Sequence, residues 1–345
     1  MNENRLKGLF DSLTPKEEHK DKLFQALSAK SGQAEKRRPI PWRHVRTAML
    51  ALAMMIGFIT TTAYAAAYFG LDMKFLNFLK PSDSEQEQYL QNGAFVVNER
   101  VANENGTLEI KQIIGDSHLI YILMDFTAPE GTVLNADRYR FHGHLKWDST
   151  GSSSAGYDFA LLDDGNPEDN KISLVMSYLA SNQAAPGREA TLIVENLEGA
   201  EAFPGEYETV ISGSWETRLK LDYKNISTRH RVDKKLTLYG YEATWSSISV
   251  SPISVTLKVS SAFTKQISEA ASESWKEIGL NEYSDHYPMI IHYKDGTSET
   301  TSIFTGMVEA DHLRETITIV KTFTPLINDK QIETIEFFGT LIPMN

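Results

Sequence analysis

The sequence predicts a mainly β protein: a short N-terminal helical segment, one transmembrane helix and two successive β-sandwiches. Three observations lead there. Residues 47–71 form a run of twenty-five residues without Asp, Glu, Lys or Arg. The roughly 270 residues after it alternate apolar and polar side chains in short stretches broken by turn residues. The chain also contains no cysteine, so its folded part is held by its core without disulfides.

The uncharged run exceeds the roughly 20 residues with which a helix crosses the hydrocarbon of a bilayer. Residues 1–46 hold 11 Lys/Arg against 6 Asp/Glu, and residues 72–345 hold 23 against 40. Arg37, Arg38, Arg43 and Arg46 crowd the start of the run, so the positive-inside bias places the N-terminus in the cytoplasm and the C-terminal region outside the cell membrane. Trp42 suits the inner interface, and Tyr64, Tyr68 and Phe69 suit the outer one. Ala63-Tyr64-Ala65 resembles a signal-peptidase site. Forty-six residues precede the run, however, more than a whole signal peptide of about 15–30 residues, which favours an uncleaved span.

Within residues 1–46, Leu6, Leu9, Phe10 and Leu13 recur at helical spacing. Thr14-Pro15-Lys16-Glu17 then reads as a capping box with proline at the first helical position, opening a second helix with Leu23, Phe24 and Leu27 on its apolar face. Two helices of about 10–15 residues cannot bury these side chains by themselves. Docking on a cytoplasmic protein, lying on the inner leaflet and remaining a frayed tail are all compatible with the pattern.

Residues 72–90 are polar, contain Pro81-Ser82-Asp83-Ser84-Glu85, and read as a linker. The first sandwich is expected over 91–213. Its opening strands near 95–97, 107–113 and 119–124 are separated by Asn103-Glu104-Asn105-Gly106 and Gly115-Asp116-Ser117, and further strands follow near 138–147, 157–161, 171–177, 190–195 and 206–211. The second sandwich is expected over 214–345. Strands are predicted near 219–223, 234–241, 245–250 and 255–259, then a hairpin of 289–293 and 300–304 around Asp295-Gly296, and a last strand at 332–338. Residues 263–278 are the one helix expected in this region.

Several stretches resemble the membrane-anchored anti-sigma-factor-like proteins of Gram-positive bacteria that carry a domain of unknown function 4179 outside the membrane. They are LFDSLTPKEEHKDKLFQAL, the single span, NGTLEIKQIIGDSHLIYILMDFTAPEG and TLIVENLEG. SISVSPISVTLKV, YKDGT and FTPLINDKQIETIEFFGTLIP resemble the Ig-like domain that often follows. The resemblance implies a regulator whose cytoplasmic helices bind an extracytoplasmic-function sigma factor. Leu6, Leu9, Phe10, Leu13, Leu23, Phe24 and Leu27 would form the docking surface, and the sandwiches would receive an envelope signal. Many anti-sigma domains carry a zinc-associated H-x-x-x-C-x-x-C motif; this chain has His19 and His44 but no cysteine, so binding would be independent of metal. The alternative is a membrane-anchored module that binds or adheres outside the cell without a sigma-factor partner.

Signals for catalysis and cofactors are sparse. His142 and His144 alternate to one face of a predicted strand, yet two imidazoles without a third ligand suit exposed strand histidines better than a metal site. The loop 163–170 (DDGNPEDN) is rich in oxygen ligands but lacks the order of a calcium loop, and reads as a solvated turn. G-x-S-x-G, P-loop, G-x-G-x-x-G and H-E-x-x-H motifs do not occur, and an acidic region of this kind is no surface for nucleic acid. No enzymatic activity and no cofactor are expected. Trp147, Trp215, Trp245 and Trp275 are expected to fill the sandwich cores rather than to stack on sugars.

Overall fold

The computed structural model describes residues 70–147, 156–162, 166, 169–180, 186–202, 205–278, 288–302 and 306–344. The seven docking residues from Leu6 to Leu27, and the predicted span except Gly70 and Leu71, lie outside these. Among the described residues no helix is long and apolar enough to cross a membrane.

The described part is mainly β, with every strand pair antiparallel. Strands β1 (Phe95–Asn103), β2 (Gly106–Gly115), β3 (Leu119–Thr127), β5 (Tyr157–Leu162) and β6 (Lys171–Leu179) form sheet A in the order β1-β2-β3-β6-β5. Strands β4 (Arg138–Trp147), β7 (Glu189–Ala200) and β8 (Glu208–Lys220) form sheet B in the order β4-β7-β8. Ile110, Ile122, Met124, Phe126 and Met176 of sheet A face Phe141, Leu192, Val194 and Trp215 of sheet B across one core. Trp215 sits at its centre, edge-on to Phe126 at 5.0 Å and to Phe141 at 5.8 Å. Its indole nitrogen donates to the Gly106 carbonyl at 3.1 Å, which satisfies the one polar group of a fully buried ring.

The second sandwich repeats the plan. Strands β9 (Thr228–Leu238), β10 (Tyr241–Val250), β11 (Ser254–Ser260), β14 (Met307–Asp311) and β15 (Thr316–Thr322) build sheet C in the order β14-β15-β11-β10-β9. Strands β12 (Pro288–Tyr293), β13 (Ser298–Ser302), β16 (Ile332–Phe337) and β17 (Thr340–Pro343) build sheet D in the order β13-β12-β16-β17. Trp245, Leu257 and Ile319 meet Met289, Ile291, Ile335 and Phe337 in its core. The side chains of Trp147 and Trp275 lie outside the description; Trp215 and Trp245 fill cores as expected. The predicted helix is present as Thr264–Ile278.

Three boundaries differ from the sequence reading. Residues 72–90 are not a free linker: they carry helices α1 (Met73–Leu79) and α2 (Ser84–Gly93). The Asp72 and Asp83 side chains cap them by accepting from the backbone NH of Lys74 and Gln86. Asp83-x-x-Gln86 is a cap signature, and the apolar Phe75, Leu76 and Leu79 are buried. The first sandwich also runs past residue 213, because β8 continues unbroken to Lys220 and places Trp215 in the first core. Gly213 marks no boundary there; a Cβ on it would lie 2.8 Å from the Trp215 ring, so the glycine makes room for the indole. Finally, the predicted strand 234–241 is split by a tight turn at Tyr239-Gly240, both with positive φ (48° and 85°), and Phe338-Gly339 (51° and 66°) makes a further hairpin to β17.

Replacing Trp215 or Trp245 by alanine is expected to cost about 3–5 kcal/mol, the usual loss for a buried Trp. Chemical denaturation of the full chain should show it as an early transition. A loss below about 1 kcal/mol would mean that the ring is not the centre of its core.

Candidate functional site

Residues 70–93 form a strap across the outer face of sheet A. Leu71, Phe75, Leu76, Leu79 and Leu90 pack there on Ile114, Leu119, Tyr121, Leu123, Val175 and Leu179, and Phe78 meets the Tyr121 ring edge-on at 5.5 Å. The first residues are clasped. The Gln112 side chain accepts from the Asp72 backbone NH and donates to the Gly70 carbonyl, both at 2.8 Å, so one buried amide holds the backbone on either side of Leu71. Asp72 also pairs with Lys111 at 2.8 Å. Lys74 donates to Ser173 at 2.7 Å, and Ser173 in turn to the buried Asp125 at 2.5 Å. Burial would raise the Asp125 pKa, but the Ser173 hydroxyl and the ammonium groups of Lys111 and Lys171 hold it below the usual carboxylate range.

The far end of the strap touches the second sandwich. Gln86 donates to the Ile327 carbonyl at 2.9 Å in a buried bond, Tyr89 donates to the Ile226 carbonyl at 2.9 Å, and Lys330 pairs with Glu85 at 2.6 Å. Leu71 therefore belongs to the folded region, with 4 % of its surface exposed, which shortens the span expected from the sequence to 47–69 at most.

The two sandwiches meet at a second polar joint. Asp116, buried in the β2–β3 turn, accepts from the Ser251 hydroxyl at 2.6 Å and the Ser254 hydroxyl at 2.5 Å across the joint. Its other oxygen accepts the backbone NH of His118 and of Leu119, both at 2.8 Å, so the buried carboxylate is paired on both sides. Beside it His118 Nδ1 is buried with no hydrogen-bond partner. Burial lowers the His118 pKa; Asp116 works against that, and Lys258 and Arg229 add to it. On β14, Glu309 Oε2 is buried without a partner. Burial and the neighbouring Asp311 push its carboxyl up to about 7 against the pull of Arg314 and Lys258.

A cleft of about 590 Å³ forms the open mouth of the second sandwich. Its floor is one face of the β12–β13 hairpin, with Tyr293, Glu299 and Thr301, and its wall is the 321–331 stretch from Lys321 to Gln331. Cross-strand partners point to the same face of a sheet. Glu299 pairs with Ile291, Thr301 with Met289 and Lys321 with Val255, all three partners being core residues. Polar side chains thus share a sheet face with core residues, Glu299 exposed and Thr301 and Lys321 half-buried. Tyr293 donates to Glu299 at 3.3 Å, and burial together with that carboxylate pushes the phenol up to about 12. Burial lowers the Lys321 ammonium, and Glu299 opposes it.

The residues singled out in the sequence fall elsewhere. His142 and His144 are exposed on the outer face of sheet B; His142 meets Glu198 at 2.9 Å, and Glu198 also binds Arg140 at 2.7 Å. Among the described residues no cluster of three metal-ligating side chains occurs. Most of the 163–170 loop lies outside the described residues; Asp169 caps the start of β6 through the Lys171 NH. The strap, the joint and the mouth were not singled out as sites. The signals were there in Asp83-x-x-Gln86, in the lone acid of Gly115-Asp116-Ser117, and in the polar residues of a hairpin whose partners are apolar.

No family model matches the chain, and no curated protein does. Among solved structures, the crystal structure of a conserved domain protein from Bacillus anthracis superimposes with a TM-score of 0.42 and 13% identity, over 70% of this chain and 75% of that one. A likeness of that size transfers neither fold nor function.

Asp116→Ala should destabilise the folded region by about 3 kcal/mol or more, since charged hydrogen bonds contribute about 1.5–3 kcal/mol each; an unchanged denaturation midpoint would show that the joint is not held there. For pH the two orphaned groups act in opposite directions. Below about 6.5 an unfolded His118 binds a proton that the folded chain resists, so its stabilising contribution is lost as pH falls through that value. Glu309 in the folded chain keeps a proton between 4.5 and about 7 that the unfolded chain releases, so its contribution is lost as pH rises through that window. Glu309→Gln should therefore raise the melting temperature relative to wild type at pH 8 and leave it little changed at pH 4; equal shifts at both would refute the assignment.

Proposed function

We propose that the chain is a single-pass membrane regulator resembling anti-sigma factors. Its cytoplasmic helices, through Leu6, Leu9, Phe10, Leu13, Leu23, Phe24 and Leu27, bind an extracytoplasmic-function sigma factor, and its two Ig-like ectodomain sandwiches receive a signal from the envelope. The observation that carries this reading is that the clasped start of the folded region follows the uncharged run in sequence without an intervening linker. The uncharged run up to residue 69 is followed directly by Gly70 and Asp72, both held by Gln112 on a packed sheet. A tether that only anchors a binding module has no need of such a clasp, whereas a signal that must reach the membrane does. The cleft in the second sandwich supports the other reading, a membrane-anchored extracellular binding module with an incidental tail.

The two readings separate on the tail. Purifying the full-length chain from host membranes should bring down a sigma factor. The Leu23→Asp, Phe24→Asp variant, inserted to the same level, should lose it and raise transcription from that sigma factor's promoters at least several-fold. If the native chain retains no sigma factor, its function lies in the ectodomain.

A further inference from the structure

The open mouth of the second sandwich is chemically unlike the closed end of the same core. Elsewhere the inward positions of sheets C and D are Trp245, Leu257, Ile319, Met289, Ile291 and Phe337. At the mouth the same register supplies Glu299, Thr301 and Lys321. Inward charges are a known protection for an edge strand, and Glu299 on the edge strand β13 could be explained that way. Lys321 lies one residue beyond the β14–β15 pairing, which stops at Val320, and so stands at the rim of the mouth. Polar residues at these register positions give the mouth a hydrogen-bonding lining that the core lacks.

We propose that this mouth is a binding site for a neutral, hydroxyl-rich saccharide. Its volume of about 590 Å³ lies within the range of ligand clefts, roughly 300–1,000 Å³. The lining offers both donors and acceptors, the Thr301, Thr322 and Thr324 hydroxyls, the Asn328 amide and the Tyr293 phenol, together with the Tyr293 and Phe323 rings. Asp295 and Glu299 against Lys321 leave the lining without an excess of positive charge, which disfavours an anionic ligand.

The site also touches the strap. Ser82, in the turn between α1 and α2, lines the cleft, and its backbone NH and hydroxyl both donate to Gln86 Oε1, at 2.8 and 3.0 Å. The same Gln86 donates to the carbonyl of Ile327 in the cleft wall. A ligand that presses on the wall or on Ser82 therefore bears on the strap that ends at the Gln112 clasp. Only this last step, passage of the signal onward to the span, rests on the regulator reading.

The test is titration of the full-length chain in detergent micelles with the tetramer of N-acetylglucosamine, followed by calorimetry, with tetraglycine as the peptide control. Hydrogen exchange of residues 79–90 is read with and without the sugar. Saturable binding of the sugar, slower exchange in the strap, and at least tenfold weaker binding by Thr301→Trp at unchanged melting temperature are expected. Tyr293→Phe, which keeps the ring and removes the hydroxyl, should weaken binding several-fold and serves if the tryptophan variant does not fold. Cosedimentation with purified cell-wall glycan distinguishes a wall source from free oligosaccharide. Binding of tetraglycine alone, binding of neither probe, or sugar binding unaffected by both variants would overturn the site. Sugar binding without change in strap exchange would overturn its contact with the strap, whatever the sigma-factor experiment shows.

Discussion

The folded region depends on the burial of sheet A from both sides. All but the last residue of β3 are buried, from Leu119 to Phe126, because its even-numbered residues face the first core and several of its odd-numbered ones face the strap and the second sandwich. An antiparallel sheet commonly leaves one face to water. Here the second face carries Ile114, Leu119, Tyr121, Leu123, Val175 and Leu179, and exposing it would leave an apolar patch of the kind that isolated soluble domains avoid. The strap helices and the second sandwich are the cover. Neither sandwich is complete alone, and the described residues belong to one unit rather than to two beads on a string.

Polar contacts set the geometry that apolar burial leaves open. Hydrophobic contact is non-directional and would tolerate a sliding strap or a rotated sandwich. The Gln112 clasp fixes where the strap begins, the Gln86 bond to Ile327 fixes where it crosses to the second sandwich, and Asp116 fixes how the sandwiches meet. Each is nearly or wholly buried, where an unmade hydrogen bond costs most, so each acts as a register pin. The orphaned atoms of His118 and Glu309 lie near the same charged neighbour, Lys258.

These pins also join the regions with a functional reading. The cleft wall holds Ile327, Ile327 holds Gln86, and the strap runs from Gln86 back to Gly70 at the end of the uncharged run. The cleft wall and the start of the folded region are thus connected through the strap and its two hydrogen-bonded ends.

From the sequence alone, the β class, the core tryptophans, the hairpins at Asn103–Gly106 and Asp295-Gly296 and the helix near 264–278 were legible. These depend on local periodicity and turn chemistry, which neighbours in the chain encode. The turns at Tyr239-Gly240 and Phe338-Gly339 were missed because an aromatic residue stands where asparagine or aspartate usually announces the turn. The strap was read as a linker because its helices are short and half polar, and their apolar face makes sense only against Tyr121 and Leu123, far along the chain. Likewise Glu299 and Lys321 are ordinary surface residues in sequence, and are seen to share a sheet face with the core only once Ile291 and Val255 are paired opposite them. Local pattern determined which elements form; pairing between distant segments, which no local pattern records, decided what covers sheet A, where the domains divide and which polar residues line a site.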